Sequence, residues 1–388
     1  MRFASAITES VDVAAAIAEL QHGIETRTTP GMIDLALLFA TGHYEDDLPE
    51  IVEQVGSFMS NAVLIGCTAE GTLAVDREVE RTPSLSLLAA TMPDVRIRPF
   101  HIRQSELHAA TDPSDWERLV GVSNESKPLF VALADPFRFA VHDFIESLNN
   151  FYPGAPLVGG VASAGQRPEQ NRLIINGEIE QEGVVGVALS GAFEVDTVVS
   201  QGCRPIGKPF VITRGERNAI RELGGRPALQ QLHDVIVNLT SGDEDLAKQS
   251  LFVGRVIDEY KEQFTRGDFL IHNILGVDKG SGAIGIAGHA RVGATVQFHV
   301  RDADSADEDL RRMLETHHGK DIRGAMLFSC NGRGTHMWPE PGHDIGALRD
   351  VLGAIPTAGF FCGGEFGPVG GRNFVHGFTA SIALFREK

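Results

Sequence analysis

Cations are scarce in this chain: 34 lysines and arginines face 52 aspartates and glutamates, a net charge of −18. Nucleic acids and anionic membranes both require a basic surface, so this balance argues against general affinity for either. It leaves room for a local cationic pocket. Cysteine is sparse as well. Cys67, Cys203, Cys330 and Cys362 form no Cys-x-x-Cys pair, which argues against a zinc ribbon. A disulfide framework is not expected in a chain of 388 residues. Long apolar runs are missing too. None reaches the roughly 18 residues that a membrane span needs, and MRFASAITESVDVAAAIAEL has no continuous apolar stretch before Glu9 and Asp12. No secretory signal is read there, and a cytoplasmic location is expected. The acidic run DADSADEDL lacks the central glycine and closing glutamate of a calcium loop, so it reads as a charged helix start, as does GDEDL. GVDKGSGAIGIAGHA has glycines but not the lysine signature of a nucleotide P-loop.

What is present is a repeated order of elements. Val13, Ala16, Ile17, Leu20 and Ile24 fall at helical spacing. MIDLALLFATG then reads as a buried strand, LPEIVEQVGSFM as a helix, and NAVLIGCTAEG as a second strand running into a glycine-flanked loop. The order recurs in KPLFVALADPF, VHDFIESLNNFYP and APLVGGVASAG, and again in RGAMLFSCNGRG, IGALRDVLGAIP and TAGFFCGGEFGPVGG. RLIINGEIEQEGVVGVALSG reads as a hairpin turning at Asn176-Gly177. LIGCTAEG, LVGGVASAG and FFCGGEFG are therefore expected at matching places in three copies of one α/β unit. The length suits two domains, with a boundary expected near Gly207: residues 1–206 hold two copies, and 207–388 hold the third from about residue 322. The fold class is α/β, with mixed or antiparallel sheets and helices outside.

IGCTAEG (65–71), VGGVASAG (158–165), GCRPIGKPFVIT (202–213), FSCNGRG (328–334) and CGGEFGP (362–368) carry a resemblance. In that order they resemble the FIST family, an N-terminal FIST domain followed by a C-terminal one, over nearly the whole chain. The resemblance implies an intracellular sensor of a small ligand, with amino acids or their derivatives as candidates. It implies signalling through a separate partner such as a kinase, because both halves consume the length and no output module is recognisable. Some free-standing members resemble haem-dependent nitric oxide sensors, which makes haem the alternative cofactor reading. A homo-oligomer is compatible with all of this.

The residues themselves suggest where a ligand would sit. Glycines after a buried strand allow close approach to the main chain, and successive N–H groups there can bind carboxylate oxygens. The candidate ligand contacts are Gly66, Cys67 and Thr68 in the first loop, and Gly159, Gly160 and Ser163 in the second. In the third copy they are Cys330, Asn331, Arg333, Cys362, Gly363, Gly364, Glu365, Arg372 and Asn373. Arg333 is expected to grip a carboxylate and Glu365 an ammonium; an Arg333–Glu365 structural pair is the competing expectation. Cys330 also raises a cysteine-dependent hydrolase or transferase, if Arg333, His336 or His376 supplies a positive field or a base. His43, His142 and His336 follow the first strand of each copy and are the candidates for an iron ligand. No residue is expected to be catalytic, and no metal ligand is assigned.

Overall fold

The computed structural model describes residues 1–28, 30–59 and 62–388. By contact the chain divides into two compact units, residues 1–199 with 310–375 and 379–388, and residues 200–309 with 376–378.

The larger unit contains all three copies. The first runs β1 (Arg2–Thr8), α1 (Val13–Glu25), β2 (Leu35–Thr41), α2 (Leu48–Met59), β3 (Val63–Ala69), the hairpin β4 (Gly71–Ala74) and β5 (Arg77–Glu80), then β6 (Leu85–Thr91). The second runs β7 (Val95–Ile102), α3 (Gln104–Ala109), α4 (Pro113–Val120), β8 (Leu129–Ala134), α5 (Val141–Phe151), β9 (Leu157–Val161), the hairpin β10 (Leu173–Ile175) and β11 (Glu178–Glu180), then β12 (Val184–Gly191). The third opens with β13 (Phe193–Gln201). After β13 come, in chain order, β14 (Cys203–Glu216), β15 (Ala219–Leu223), β16 (Arg226–Pro227), α6 (Ala228–Val237), α7 (Ser241–Gln249), β17 (Leu251–Val256), β18 (Phe269–Asp278), β19 (Ala283–Ile286) and β20 (Thr295–Arg301). The copy resumes with α8 (Ala303–Glu315), β21 (Gly324–Cys330), α9 (His343–Leu352), β22 (Thr357–Cys362), the hairpin β23 (Glu365–Val369) and β24 (Arg372–His376), and β25 (Thr379–Glu387). The expected boundary near Gly207 therefore does not separate compact units. Residues 200–309 interrupt the third copy, and β21–β25 pack with the first two copies.

Each copy builds a sheet and lends its hairpin to another copy. The strand orders are β1-β6-β2-β3-β10-β11, β7-β12-β8-β9-β23-β24 and β13-β25-β21-β22-β4-β5. The second copy's hairpin thus completes the first sheet, the third's the second, and the first's the third. The central pairs are parallel: β2 with β3, β8 with β9, and β21 with β22. Alternation sorts the side chains. Leu35, Leu37 and Phe39 join Val131, Leu133, Phe328 and Phe360 in one central core, while Ala36, Leu38 and Ala40 pack under α1 and α2. Phe39 stacks on Phe360 at 4.9 Å. Burial on both faces is why these strands read as unbroken apolar runs.

The parallel pair at the centre of each copy brings its strands into close contact, and glycine meets this at matching positions. A Cβ on Gly66, Gly159 or Gly359 would lie 2.0, 1.9 or 1.6 Å from the carbonyl oxygen of Leu38, Ala132 or Leu327. The structural match in the third copy is therefore Gly359, not Gly363 or Gly364. Gly159→Ala is expected to lower the unfolding free energy by about 1–3 kcal/mol. The added methyl meets main chain, and φ is +130°; a urea midpoint equal to wild type would contradict this account.

The smaller unit is a closed barrel. Its strands pair in the order β14-β20-β17-β18-β19-β15, and β15 pairs back to β14. Ile212, Ile220, Val253, Ile284, Val296 and Phe298 fill its core together with Leu232 of α6. Among the described residues no helix is long and apolar enough to cross a membrane.

Candidate functional site

The ends of the parallel strands from all three copies meet at one place in the larger unit. Gly42 and His43 follow β2, Glu70 follows β3, and Ala164, Gly165 and Gln170 follow β9. Together with Glu45 and Arg81 they line an open cleft of about 430 Å³. The third copy closes one side: Asn331 Nδ2 donates to Glu70 Oε2 at 3.2 Å, and His336 Nε2 lies 4.0 Å from Glu70 Oε1. Arg81 Nη2 contacts His336 Nε2 at 2.6 Å. Among the described residues Arg81 has no carboxylate within salt-bridge distance. Ser163 fastens the seam, accepting from Glu70 N at 3.0 Å and donating to the Phe361 carbonyl.

Beneath this surface lies a buried polar cluster. Arg333 is fully buried. Its Nε and Nη2 donate to Asp344 Oδ2 and Oδ1, both at 2.7 Å. Ser329 Oγ donates to Asp344 Oδ2 at 2.7 Å, and His343 Nδ1 lies 2.9 Å from Oδ1. The Trp338 ring covers the guanidinium at 5.0 Å. Burial pushes the Asp344 carboxyl up, but Arg333 and His343 outweigh it and hold the group far below its ordinary range. Glu78 and Glu80 enter on the hairpin lent by the first copy. Glu78 Oε1 accepts from Ile345 N at 2.8 Å, and Glu80 accepts from Thr335 N and Oγ1 at 2.9 and 3.0 Å. Glu365, on the hairpin that starts beside Gly160, accepts from Thr379 N and Oγ1 at 3.2 and 2.7 Å. Burial first, and then Asp344, pushes Glu78 up to about 8. Burial pushes Glu365 up to about 8 against the pull of its Thr379 hydrogen bonds. Glu78 Oε2, Glu365 Oε1 and Arg333 Nη1 have no hydrogen-bond partner among the described residues.

These positions correct several expectations. Arg333 is turned inward, fully buried and paired with Asp344 rather than Glu365, so it does not reach the cleft to grip a ligand. Neither Glu365 nor Cys362 is exposed. Gly66 and Gly159 are filled by neighbouring main chain, and a Cβ on Gly160 would lie 2.5 Å from Cys362 Sγ; close packing, rather than ligand access, requires these glycines. Thr68 is used inside the sheet, its Oγ1 accepting from Arg172 N at 2.9 Å. Cys67 is buried, and burial pushes its thiol well up. Gly363 N and Gly364 O are spent on Val161. Arg372 and Asn373 lie at the far end of the β23–β24 hairpin. There Asn373 Oδ1 accepts from Leu157 N at 2.8 Å and Nδ2 donates to Ala155 O at 2.9 Å, while Arg372 is exposed. Of the expected contacts, Ser163 and Asn331 stand at the cleft seam.

Cys330 lies just under Asn331 and is 5% exposed. Its sulfur accepts from Gly332 N at 3.4 Å and reaches Asn331 Oδ1 at 3.8 Å. A thiol so enclosed is poorly placed to attack a substrate. The three candidate iron ligands do not suit haem either. His43, His142 and His336 are all exposed, and the cleft walls carry Glu45, Glu70, Arg81 and Gln170 where a porphyrin face requires apolar contact. Sequence reasoning missed Glu70, Glu78, Arg81 and Asp344. Glu70 was visible inside IGCTAEG as the only acid of that loop; Glu78 and Arg81 gain their meaning only through the exchanged hairpin, and Asp344 through the inward turn of Arg333.

Comparison with known proteins adds a family. The FIST N domain matches residues 34–226, and the FIST C domain matches residues 228–368. An uncharacterized protein of Mycobacterium tuberculosis strain H37Rv is 39% identical over 389 aligned residues, covering 99% of this chain and all of the relative. One from Mycobacterium bovis is 38% identical, covering 90% of each chain. A crystal structure of a cyanuric acid hydrolase from A. caulinodans aligns over 100% of this chain and 99% of its own at 9% identity, with a TM-score of 0.33. That likeness is too weak to carry an argument.

Proposed function

Because this chain belongs to the FIST family, whose domains are sensory domains of signal transduction, we propose that its open cleft recognises a free amino acid or a similar small zwitterion, and that it signals through a separate partner without catalysing a reaction. The observation that carries this reading is the pairing of charges at the cleft. Glu70 and Arg81 line the same cleft, and Arg81 has only the His336 imidazole as a side-chain partner among the described residues. An α-ammonium suits Glu70, and an α-carboxylate suits the guanidinium in bidentate fashion.

The cleft is also well placed to report occupancy. Glu70 belongs to the first copy, Asn331 to the third, and Ser163 of the second bridges them. An ammonium that takes over Glu70 competes directly with Asn331, which stands two residues from Ser329 and two from Arg333 in the chain. A ligand that favours one arrangement of Asn331 over another shifts the population between them, and one indifferent to both shifts nothing. A kinase or other output protein would read that shift.

A thermal-shift screen across the free amino acids tests the reading. At about 100 times Kd a true ligand stabilises the protein by about 2.7 kcal/mol. Arg81→Gln and Glu70→Gln are expected to abolish the shift while leaving the ligand-free melting temperature close to wild type. A hit that survives both substitutions would place the binding elsewhere, and turnover of the hit would end the non-catalytic reading.

A further inference from the structure

The motif GCRPIGKPFVIT is not used by the cleft. In the barrel unit it runs from Gly202 through most of β14, and pairing of this strand with β20 is interrupted between Ile206 and Phe210. Gly207, Lys208 and Pro209 bulge out of the ladder there. Gly207 takes φ +63°, and a Cβ on it would lie 2.8 Å from Val235 of α6, so glycine allows the bulge to come close to the helix. A cavity of about 510 Å³ opens beside the bulge, walled by β14, α6 and the start of α7.

Its wall has two characters. Phe210, Val235 and Leu239 give an apolar floor. Around them stand four charged residues: Lys208, Arg226, Asp234 and Asp243. Three of the four are neutralised. Arg226 Nη2 pairs with Asp234 Oδ2 at 2.8 Å, and Asp243 pairs with Arg204. Lys208 is left over. Its ammonium lies 5.6 Å from the centre of the Phe210 ring, and among the described residues it has no carboxylate within salt-bridge distance. An apolar floor beside one uncompensated cation selects an apolar body bearing one negative charge.

We propose that this cavity is a second ligand site, specific for a small organic carboxylate with an aromatic or short aliphatic body, held by Lys208 at its charged end and by Phe210, Val235 and Leu239 along its apolar end. It does not depend on the sensory reading of the cleft. An amine of the same shape meets the Lys208 ammonium and finds both acids of the cavity already paired with arginines.

Phenylacetate is a suitable probe, titrated calorimetrically into the full chain at millimolar concentration. Saturable binding is expected for the wild type. Lys208→Gln should weaken it by about tenfold or more, the loss of one charge-assisted contact. Lys208→Arg should retain it. Phenethylamine, the same body with the opposite charge, and acetate, the same charge without the body, should each bind at least about tenfold more weakly. Arg81→Gln, which alters only the cleft, should leave phenylacetate binding unchanged. The proposal is overturned if the wild type shows no saturable binding, if Lys208→Gln binds like wild type, if phenethylamine binds as well as phenylacetate, or if Arg81→Gln removes the binding.

Discussion

Arg333→Ala is expected to destabilise the protein by about 3–5 kcal/mol, the loss typical when one partner of a buried ion pair is removed. The guanidinium is fully buried and supplies both hydrogen bonds that bracket the Asp344 carboxylate. Its removal leaves Asp344 charged and buried, held among the described residues by Ser329 and His343. Trp338 loses the cation it covers, and a void opens beside Glu78. Urea unfolding at neutral pH measures the change. Most of the loss comes from stranding a charge, so Arg333→Met combined with Asp344→Leu should recover a large part of it. A single mutant within about 1 kcal/mol of wild type would mean that the pair contributes no more than a surface salt bridge.

The second large effect is a fall of stability with rising pH. Glu78 and Glu365 have an ordinary value of 4.5 and are each pushed up to about 8. Between those values the unfolded chain has released both protons and the folded chain still holds them. Folding takes up protons there, and stability declines as pH rises. The favourable contribution is complete below 4.5, fades through the interval, and is gone above about 8. The loss per group approaches about 1.4 kcal/mol for each pH unit, so the two together remove on the order of several kcal/mol. Asp344 acts in the opposite sense. Its folded value is depressed below the ordinary 3.8, so its contribution is present above that value and is lost in stronger acid.

Glu365→Gln separates this from general acid–base effects. Glutamine keeps an oxygen for Thr379 and places an uncharged amide where Oε1 has no hydrogen-bond partner among the described residues. The variant should match wild type near pH 5, exceed it at pH 9, and show a shallower decline between. Equal slopes in the two proteins would mean that Glu365 is ionised in the folded state at neutral pH.

Much of the architecture was legible in the chain because it rests on local patterning. The helix over LPEIVEQVGSFM, the buried strands LALLFAT and LFVALA, and the turn at Asn176-Gly177 appear where spacing and turn chemistry put them. The threefold order of elements was readable for the same reason. The site was less so. Asn331 and Ser163 were found because they stand in the loops that close each parallel pair. Arg333 was misread because a cation in a glycine-rich loop looks alike whether it faces solvent or a buried carboxylate.

The sequence by itself determined the element types, the repeated α/β unit and the family, since each is written in residues close together along the chain. Only the tertiary structure decided which glycines serve packing, which arginine reaches the cleft, and where the third copy is interrupted. Those outcomes depend on contacts between segments far apart in the chain, including hairpins passed from one copy's sheet to another's. Contacts such as Glu78 with Ile345, 267 residues apart, leave no mark in the local pattern of either segment.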